Sequence, residues 1–322
     1  MSIVREKIVN LKKYMQSKIL GQEDLVDKLI ITMLADGHAL VEGAPGLAKT
    51  KAIKTLADCV EASFSRIQFT PDLLPSDITG SDIYISSTGD FEFRKGPIFA
   101  NMVLADEINR APAKVQSALL EAMAERQVSV GGKQYKLPQL FMVMATQNPI
   151  EHEGTYNLPE AQLDRFLMYI KIDQPSAQTE REILNLVRQE EKSGYKMPNF
   201  ACDIRIEDIL SARQEAFDIH FSEAIEEYLV QLIIATRHPE KYDENLKNTI
   251  SYGASPRATI ALDRCARIHA WLQNRDFVTP EDIHAVVFDI LRHRIILTFE
   301  AQANEITADD VIQKILQLVP LP

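Results

Sequence analysis

A lysine and a threonine follow a short glycine- and proline-containing turn in Gly43-Ala44-Pro45-Gly46-Leu47-Ala48-Lys49-Thr50, an arrangement that can hold a polyphosphate. Backbone N–H groups of such a turn, with the N-terminus of the helix it opens, make a cradle for phosphate oxygens. Lys49 supplies a point charge for the β- and γ-phosphates, and Thr50 a hydroxyl ligand for Mg²⁺. One position departs from the pattern GxxxxGK[ST]. Ala48 stands where glycine is expected, keeping the N–H donor but admitting fewer backbone conformations. A second apolar run, Met102-Val-Leu-Ala-Asp106-Glu107, ends in two acids. Neighbouring strand residues point to opposite sides, so one carboxylate can hold Mg²⁺ while the other polarises a water. A third run, from Leu140 to Thr146, ends in Gln147-Asn148-Pro149. There Asn148 can orient an attacking water or contact the γ-phosphate. Arg257, in the first turn of a helix opened by Ser255-Pro256, stands where the helix dipole disfavours a cation, and an anion nearby would offset the mismatch. Arg165, in Leu163-Asp164-Arg165-Phe166, reads from the residues alone as half of a surface ion pair.

These side chains need elements to carry them. Strand candidates are His38–Glu42, Ser63–Phe69, Met102–Ala105, Leu140–Thr146 and Met168–Ile172. Several are apolar throughout, as strands of a parallel sheet covered on both faces are. Helical spacing of apolar residues covers 5–18, 22–36, 49–58 and 113–125. Strands alternating with helices predict an α/β layered domain. Two stretches interrupt the alternation as hairpins expected to project from the sheet, one turning at Gly131-Gly132 and one over Ser81–Phe93. From about residue 176 strands are expected to stop. Helical patterns then cover 178–192, 206–218, 222–237, 256–273, 280–293 and 308–318. The glycines agree: of 12, only Gly194 and Gly253 lie beyond residue 154. A boundary near Asp173–Ser176 divides the chain into an α/β part, 1–175, and a helical part, 176–322.

Composition narrows the function. Lys and Arg number 35 against 46 Asp and Glu, a net charge of -11. An acidic surface disfavours nonspecific binding to nucleic acid or anionic membrane. No apolar run approaches the roughly 18 residues of a membrane span. The charged N-terminus lacks the apolar stretch of a signal peptide. Three cysteines, Cys59, Cys202 and Cys265, make no disulfide framework and no CxxC, which fits a reducing compartment. The expectation is a cytoplasmic protein without an anchor of its own. His38, His293 and Trp271 read as structural residues.

Taken together and in this order, these elements resemble the AAA+ ATPases, and among them the MoxR family. The resemblance runs from Ile19-Leu20-Gly21-Gln22 to Val319-Pro320. It is densest in Gly43–Thr50, Gly96–Asn101, Leu104–Ala113, Gln116–Val128 and Tyr156–Met168. MoxR-type loops also carry alanine where Ala48 stands. The resemblance implies an AAA+ P-loop core, a parallel sheet sandwiched by helices with β-hairpin insertions, followed by an all-α lid. It implies Lys49 and Thr50 as the Walker A pair, Asp106 as Mg²⁺ ligand, Glu107 as water activator and Asn148 as sensor 1. Arg165 becomes an arginine finger acting on a neighbour's ATP, Arg257 becomes sensor 2 in cis or in trans, and Ile19–Gln22 line the adenine pocket. It also implies a ring, usually hexameric, that remodels or matures protein complexes, metal-cofactor insertion included, with partners carrying von Willebrand A-type domains. A DNA-acting motor is an alternative, against which the acidic balance and the weakly basic hairpin tips argue. A nucleotide-gated scaffold with little turnover is another, against which Glu107 and Arg165 argue. Magnesium-chelatase-type activity is a neighbouring reading.

Overall fold

The computed structural model describes residues 2–149, 154–192 and 204–322. They form two compact units. One comprises Ser2–Leu158 together with Ile170–Ile209; the other comprises Pro159–Tyr169 and Leu210–Pro322. Among the described residues no helix is long and apolar enough to cross a membrane.

The first unit opens with helices α1 (Ile3–Lys18) and α2 (Glu23–Leu34). Strand β1 (Ala39–Glu42), helix α3 (Lys49–Cys59) and strand β2 (Phe64–Gln68) follow. A short helix α4 (Pro75–Thr79) leads into the hairpin β3 (Gly80–Ile85) and β4 (Asp90–Lys95). Then come β5 (Met102–Asp106), α5 (Ala113–Glu125), the hairpin β6 (Gln127–Val130) and β7 (Lys133–Lys136), and β8 (Met142–Gln147). After α6 (Glu160–Leu163), strand β9 (Met168–Lys171) completes a parallel five-stranded sheet in the order β2-β5-β8-β1-β9. Helix α7 (Ala177–Lys192) follows.

The central strands are fully buried over Ala39–Val41, Met102–Ala105 and Met142–Ala145, which is why their sequences are apolar without alternation. Strand β2 lies at the sheet edge, and there polar residues alternate with buried Ile67. The parallel register pairs Val41 with Thr146 and Ala105 with Ala145, so β1, β5 and β8 end level with one another. Ligand sites of such sheets lie beyond the carboxyl ends of the strands.

Both expected hairpins form two-stranded sheets of their own. The first closes at its base where Gly80, at φ +91°, meets Gly96; a Cβ on either would fall on the other's backbone. Phe93 of β4 stacks on Tyr135 of β7 with ring centroids 3.9 Å apart, so the hairpins are packed together.

The C-terminal unit is helical: α8 (Ile206–Phe217), which begins in the first unit, then α9 (Glu223–Arg237), α10 (Pro256–Leu272), α11 (Pro280–Leu291), α12 (Phe299–Ala303) and α13 (Ala308–Leu318). One expectation is corrected. Strands do not stop at residue 176, because β10 (Ile250–Tyr252) pairs antiparallel with β11 (Ile296–Leu297). Runs of three and two residues are too short for a period of two to register. Helix α11 begins at Pro280, where the helical pattern over 280–293 places it, with Thr279 and Asp282 in a reciprocal capping box. Asp282 is fully buried and also pairs with His269 (2.6 Å) and Arg275, which hold its carboxyl down at about 2 against the opposing effect of burial. Trp271 is buried and donates to Glu215, and Cys59 and Cys265 are buried; Cys202 lies outside the described residues.

His38 is structural. Its Nδ1 accepts from the Val143 N–H at 3.0 Å, which requires the neutral ring, and burial together with the Arg126 cation lowers its pKa to about 4. A depressed histidine favours folding above its unfolded value, and that contribution is lost as pH falls from about 6.5 toward 4. Urea unfolding should therefore lose about 2–3 kcal/mol more between pH 7 and 4.5 in the parent than in His38→Gln. Equal losses in both proteins would assign the acid sensitivity elsewhere.

Candidate functional site

The turn after β1 enters α3 through Ala48, whose backbone is left-handed at φ 54°, ψ 16°. An L-residue with a Cβ is strained there by about 1–2 kcal/mol. The glycine of the common pattern is thus missing in chemistry, but its conformation is kept. Lys49 Nζ donates to the Gly43 carbonyl across the turn at 2.7 Å. Burial lowers the lysine's pKa, while Asp106, Glu107 and Glu42 pull it back up. A cavity of about 440 Å³ is lined by this turn and by residues from three strand ends. Besides Pro45–Lys51 it includes Asp106, Glu107, Thr146 and Asn148, with Arg66 from the edge strand.

The acidic pair is tightly held. Asp106 Oδ1 accepts from Thr146 Oγ1 at 2.6 Å, and the same hydroxyl accepts the Glu107 N–H at 2.9 Å. Asp106 Oδ2 is bound by Arg66 at 2.6 Å. Glu107 Oε2 accepts from Gln68 Nε2 at 2.8 Å and pairs with Arg110 at 3.1 Å. Glu107 is itself left-handed, at φ 56°, ψ 51°. Two non-glycine residues in this region within one cavity mark a site where local strain is held by its surroundings.

Of the residues singled out in the sequence, Pro45–Thr50, Asp106, Glu107 and Asn148 come together here. Gly43 and Ala44 are the turn's entry, and Gly43 packs against Ile172. Ile19–Gln22 are not among the lining residues. Gly21 sits at φ +74° against Thr179, and Gln22 Nε2 donates to the Asp173 carbonyl at 3.2 Å. Arg165 and Arg257 belong to the C-terminal unit, where both are exposed. Arg257 contacts Asp164 at 3.4 Å, and Asp164 is also held by Arg294 at 2.7 Å. A cavity of about 660 Å³ in that unit, beside Asp164, His293 and Arg294, contains none of the phosphate-loop residues.

Thr146 and Arg110 escape sequence reasoning as site residues. The run from Arg66 to Asp77 resembles the family's and reads on that ground as facing the nucleotide-sensing side, and from physics alone as a loop, but it names no partner for Arg66 or Gln68. The alternation around Ile67 puts residues 66 and 68 on one face, but nothing in the sequence says that β5 is their neighbour.

A profile of the ATPase family associated with various cellular activities (AAA) matches residues 38–168, and one of the AAA lid domain matches 243–315. The chain is 48% identical to "Chaperone MoxR1" of Mycobacterium tuberculosis over 94% of its length and 79% of that protein. It is 32% identical to "Protein MoxR" of Methylorubrum extorquens over 99% and 96% of the two chains. The chain belongs to the MoxR family of AAA+ ATPases. A crystal structure from Cytophaga hutchinsonii matches the fold with a TM-score of 0.89 at 45% identity, covering 99% of this chain and 96% of that one. Membership in the MoxR family accounts for the AAA+ sheet order and for the helical lid.

The left-handed Ala48 predicts a graded effect of side-chain size. Ala48→Gly should keep nucleotide affinity, since glycine adopts this backbone freely. Ala48→Val should weaken it about tenfold or more, because a β-branched residue resists φ > 0. Titration with a fluorescent nucleotide checks both, and equal affinities for the two variants would mean that the loop does not need this conformation.

Proposed function

We propose that this chain hydrolyses ATP at the cavity between the phosphate loop and the acidic pair, and uses the cycle to remodel protein complexes. The observation that supports this reading is the meeting of Lys49, Thr50, Asp106, Glu107 and Asn148 in one cavity. Those side chains come from different strand ends, and phosphoryl transfer needs this kind of positioning with charge stabilisation and little covalent work.

The donor set fits Mg²⁺ with a nucleotide. Among the described residues no cluster of three or more His, Cys, Asp or Glu could cage a metal ion. A hydroxyl, Thr50, and one carboxylate, Asp106, suit a cation that takes its remaining ligands from water and phosphates. When bound, Mg²⁺-ATP supplies the phosphoanhydride bond and a metal charge that offsets the phosphates. Lys49 and the N-terminus of α3 hold the phosphates. Glu107 orients the attacking water and accepts its proton. Asn148 positions that water or the γ-phosphate. Ile19–Gln22 are assigned to the adenine.

The division of labour proposed is a nucleotide-binding core over 1–175 and a helical linker and lid over 176–322. The working form proposed is a cytoplasmic homo-oligomer, a hexameric ring, in which Arg165 completes a neighbour's site and Arg257 acts as sensor 2. The name "Chaperone MoxR1" carried by a relative supports a protein client. A von Willebrand A-type partner and metal-cofactor insertion into the client belong to the same proposal. The net charge of -11 supports a protein client over DNA.

Lys49→Ala should lose nucleotide binding while remaining folded. Glu107→Gln should keep binding and lose about 10²–10⁴ in turnover, because an amide accepts a proton poorly. A phosphate-release assay beside a binding titration separates the two, and parental turnover in Glu107→Gln would sink the assignment.

Arg165→Ala should bind ATP normally and turn over up to about 10³-fold more slowly, as loss of an arginine finger does. Mixing it with Lys49→Ala subunits should restore part of the activity, since each supplies what the other lacks. No recovery in confirmed mixed assemblies would exclude action in trans.

A further inference from the structure

Strands β5 and β8 stay in register up to the pair Ala105 and Ala145, and the Thr146 hydroxyl ties them once more just beyond. Glu107 and Asn148 stand past the ends of those strands, where no ladder holds one to the other. Their relative placement therefore depends on how the two following loops are fixed together.

Gln116, near the start of α5, joins those loops. Its side chain is fully buried. Nε2 donates to the Ile108 carbonyl at 3.2 Å and to the Tyr156 carbonyl at 3.0 Å. Ile108 opens the short turn Ile108–Arg110 that Glu107 begins. Tyr156 lies on the chain that follows Asn148. The Tyr156 N–H in turn donates to the Asn109 carbonyl at 2.6 Å. Both backbone groups of Tyr156 are thus spent on the turn after Glu107 and on Gln116, while the residue itself is 49% exposed.

The surroundings fix which way the Gln116 amide faces. Two carbonyls can only accept, so the NH₂ group must turn toward them. That leaves Oε1 buried with no partner among the described residues. A buried unpaired oxygen costs stability. An apolar side chain of the same length would fill the space without that cost. Packing alone gives no reason for an amide at this place, whereas the link between two carbonyls does.

We propose that Gln116 is a positioning residue for hydrolysis, holding the turn after Glu107 to the chain after Asn148. The proposal rests on the reading of this cavity as an ATP-hydrolysing site. The clamp keeps the two groups assigned to the attacking water, one from each strand end, at one spacing. Without the NH₂ group the Tyr156 carbonyl, on a half-exposed residue, turns to water, and the segment lifts from the turn. Lys49 and Thr50 sit on the phosphate loop and take no part in the clamp. Loss of Gln116 should therefore separate turnover from binding.

The test uses Gln116→Met, which is unbranched, of similar length and without a donor, and Gln116→Leu beside it. Both should fold, and both should bind a fluorescent ATP analogue as the parent does. Phosphate release should fall about ten- to a hundredfold, the scale set by a small misplacement of reacting groups. Hydrogen exchange followed by mass spectrometry over residues 155–158 should quicken in both variants and stay slow in the parent. Parental turnover in folded Gln116→Met overturns the proposal. So does a loss of affinity equal to the loss of turnover, or failure of both variants to fold, since Gln116 would then serve the fold and not the spacing. Unchanged exchange over 155–158 also overturns it, because the clamp would not be what holds that segment. A parent that neither binds nucleotide nor releases phosphate overturns instead the reading on which the proposal rests, before Gln116 is tested.

Discussion

The Thr146 hydroxyl is the point on which the site turns. It is buried, it donates to Asp106 and it accepts the Glu107 N–H. One oxygen thereby positions the Asp106 carboxylate and holds the left-handed backbone that turns the next acid away from it. This works because β8 runs parallel to β5 in a register that brings Thr146 one step past the Ala105–Ala145 pair. A slip of one residue would point every side chain of that strand to the other face of the sheet. Such a slip would carry the Thr146 hydroxyl away from Asp106 and the Glu107 N–H, so this polar contact, and not the uniformly apolar faces, marks the register. Register of the sheet and geometry of the site are therefore one constraint.

Charge is the second organising force. Asp106, Glu107 and Glu42 pull the Lys49 ammonium toward its charged form, and burial opposes them. Arg66 sits on Asp106 at the end of β5 and Arg110 on Glu107 just beyond it. Each of these anions thus has a cation within reach in the protein itself. A polyphosphate entering the cradle meets a site whose charges are already paired, and binding must rearrange pairs and not merely add attraction. The acidic surface can then coexist with an anionic ligand, because the local balance at the cavity differs from the net charge.

The C-terminal unit is held by a different economy of charge. Asp282 and Asp164 each gather several donors, from Arg275, His269 and Thr279 in one case and from Arg294, Ser255 and Arg257 in the other. Arg294 in turn donates to the Phe166 and Leu167 carbonyls. The short segment around α6, which carries Arg165, is fastened to the helical unit through Asp164 and these carbonyls. Its sequence position lies far from the helices that hold it, and the sheet strand β9 follows it directly. Such a crossing of the chain between units is invisible to composition or periodicity.

The sheet strands, the long helices and both hairpins could be read from residue order, because each is announced by a local rule. Strands buried on both faces must be apolar throughout, an amphipathic helix must repeat near 3.6, and Gly131-Gly132 favours a tight turn. Lys49, Thr50, Asp106, Glu107 and Asn148 were legible as candidates for the same reason, since each sits at a junction where an apolar run meets a turn or helix, and they line one cavity. What residue order could not supply was adjacency. Arg66 and Gln68 become partners of the acidic pair only because β2 lies beside β5, a matter of sheet order over nearly forty residues of intervening chain. The ribbon of β10 and β11 is too short to carry a period. The left-handed turns at Ala48 and Glu107 contradict local preference, and only neighbours held by the whole fold can sustain them. Local chemistry is written in short-range order, whereas strain and charge pairing depend on contacts that exist only once distant strands have met.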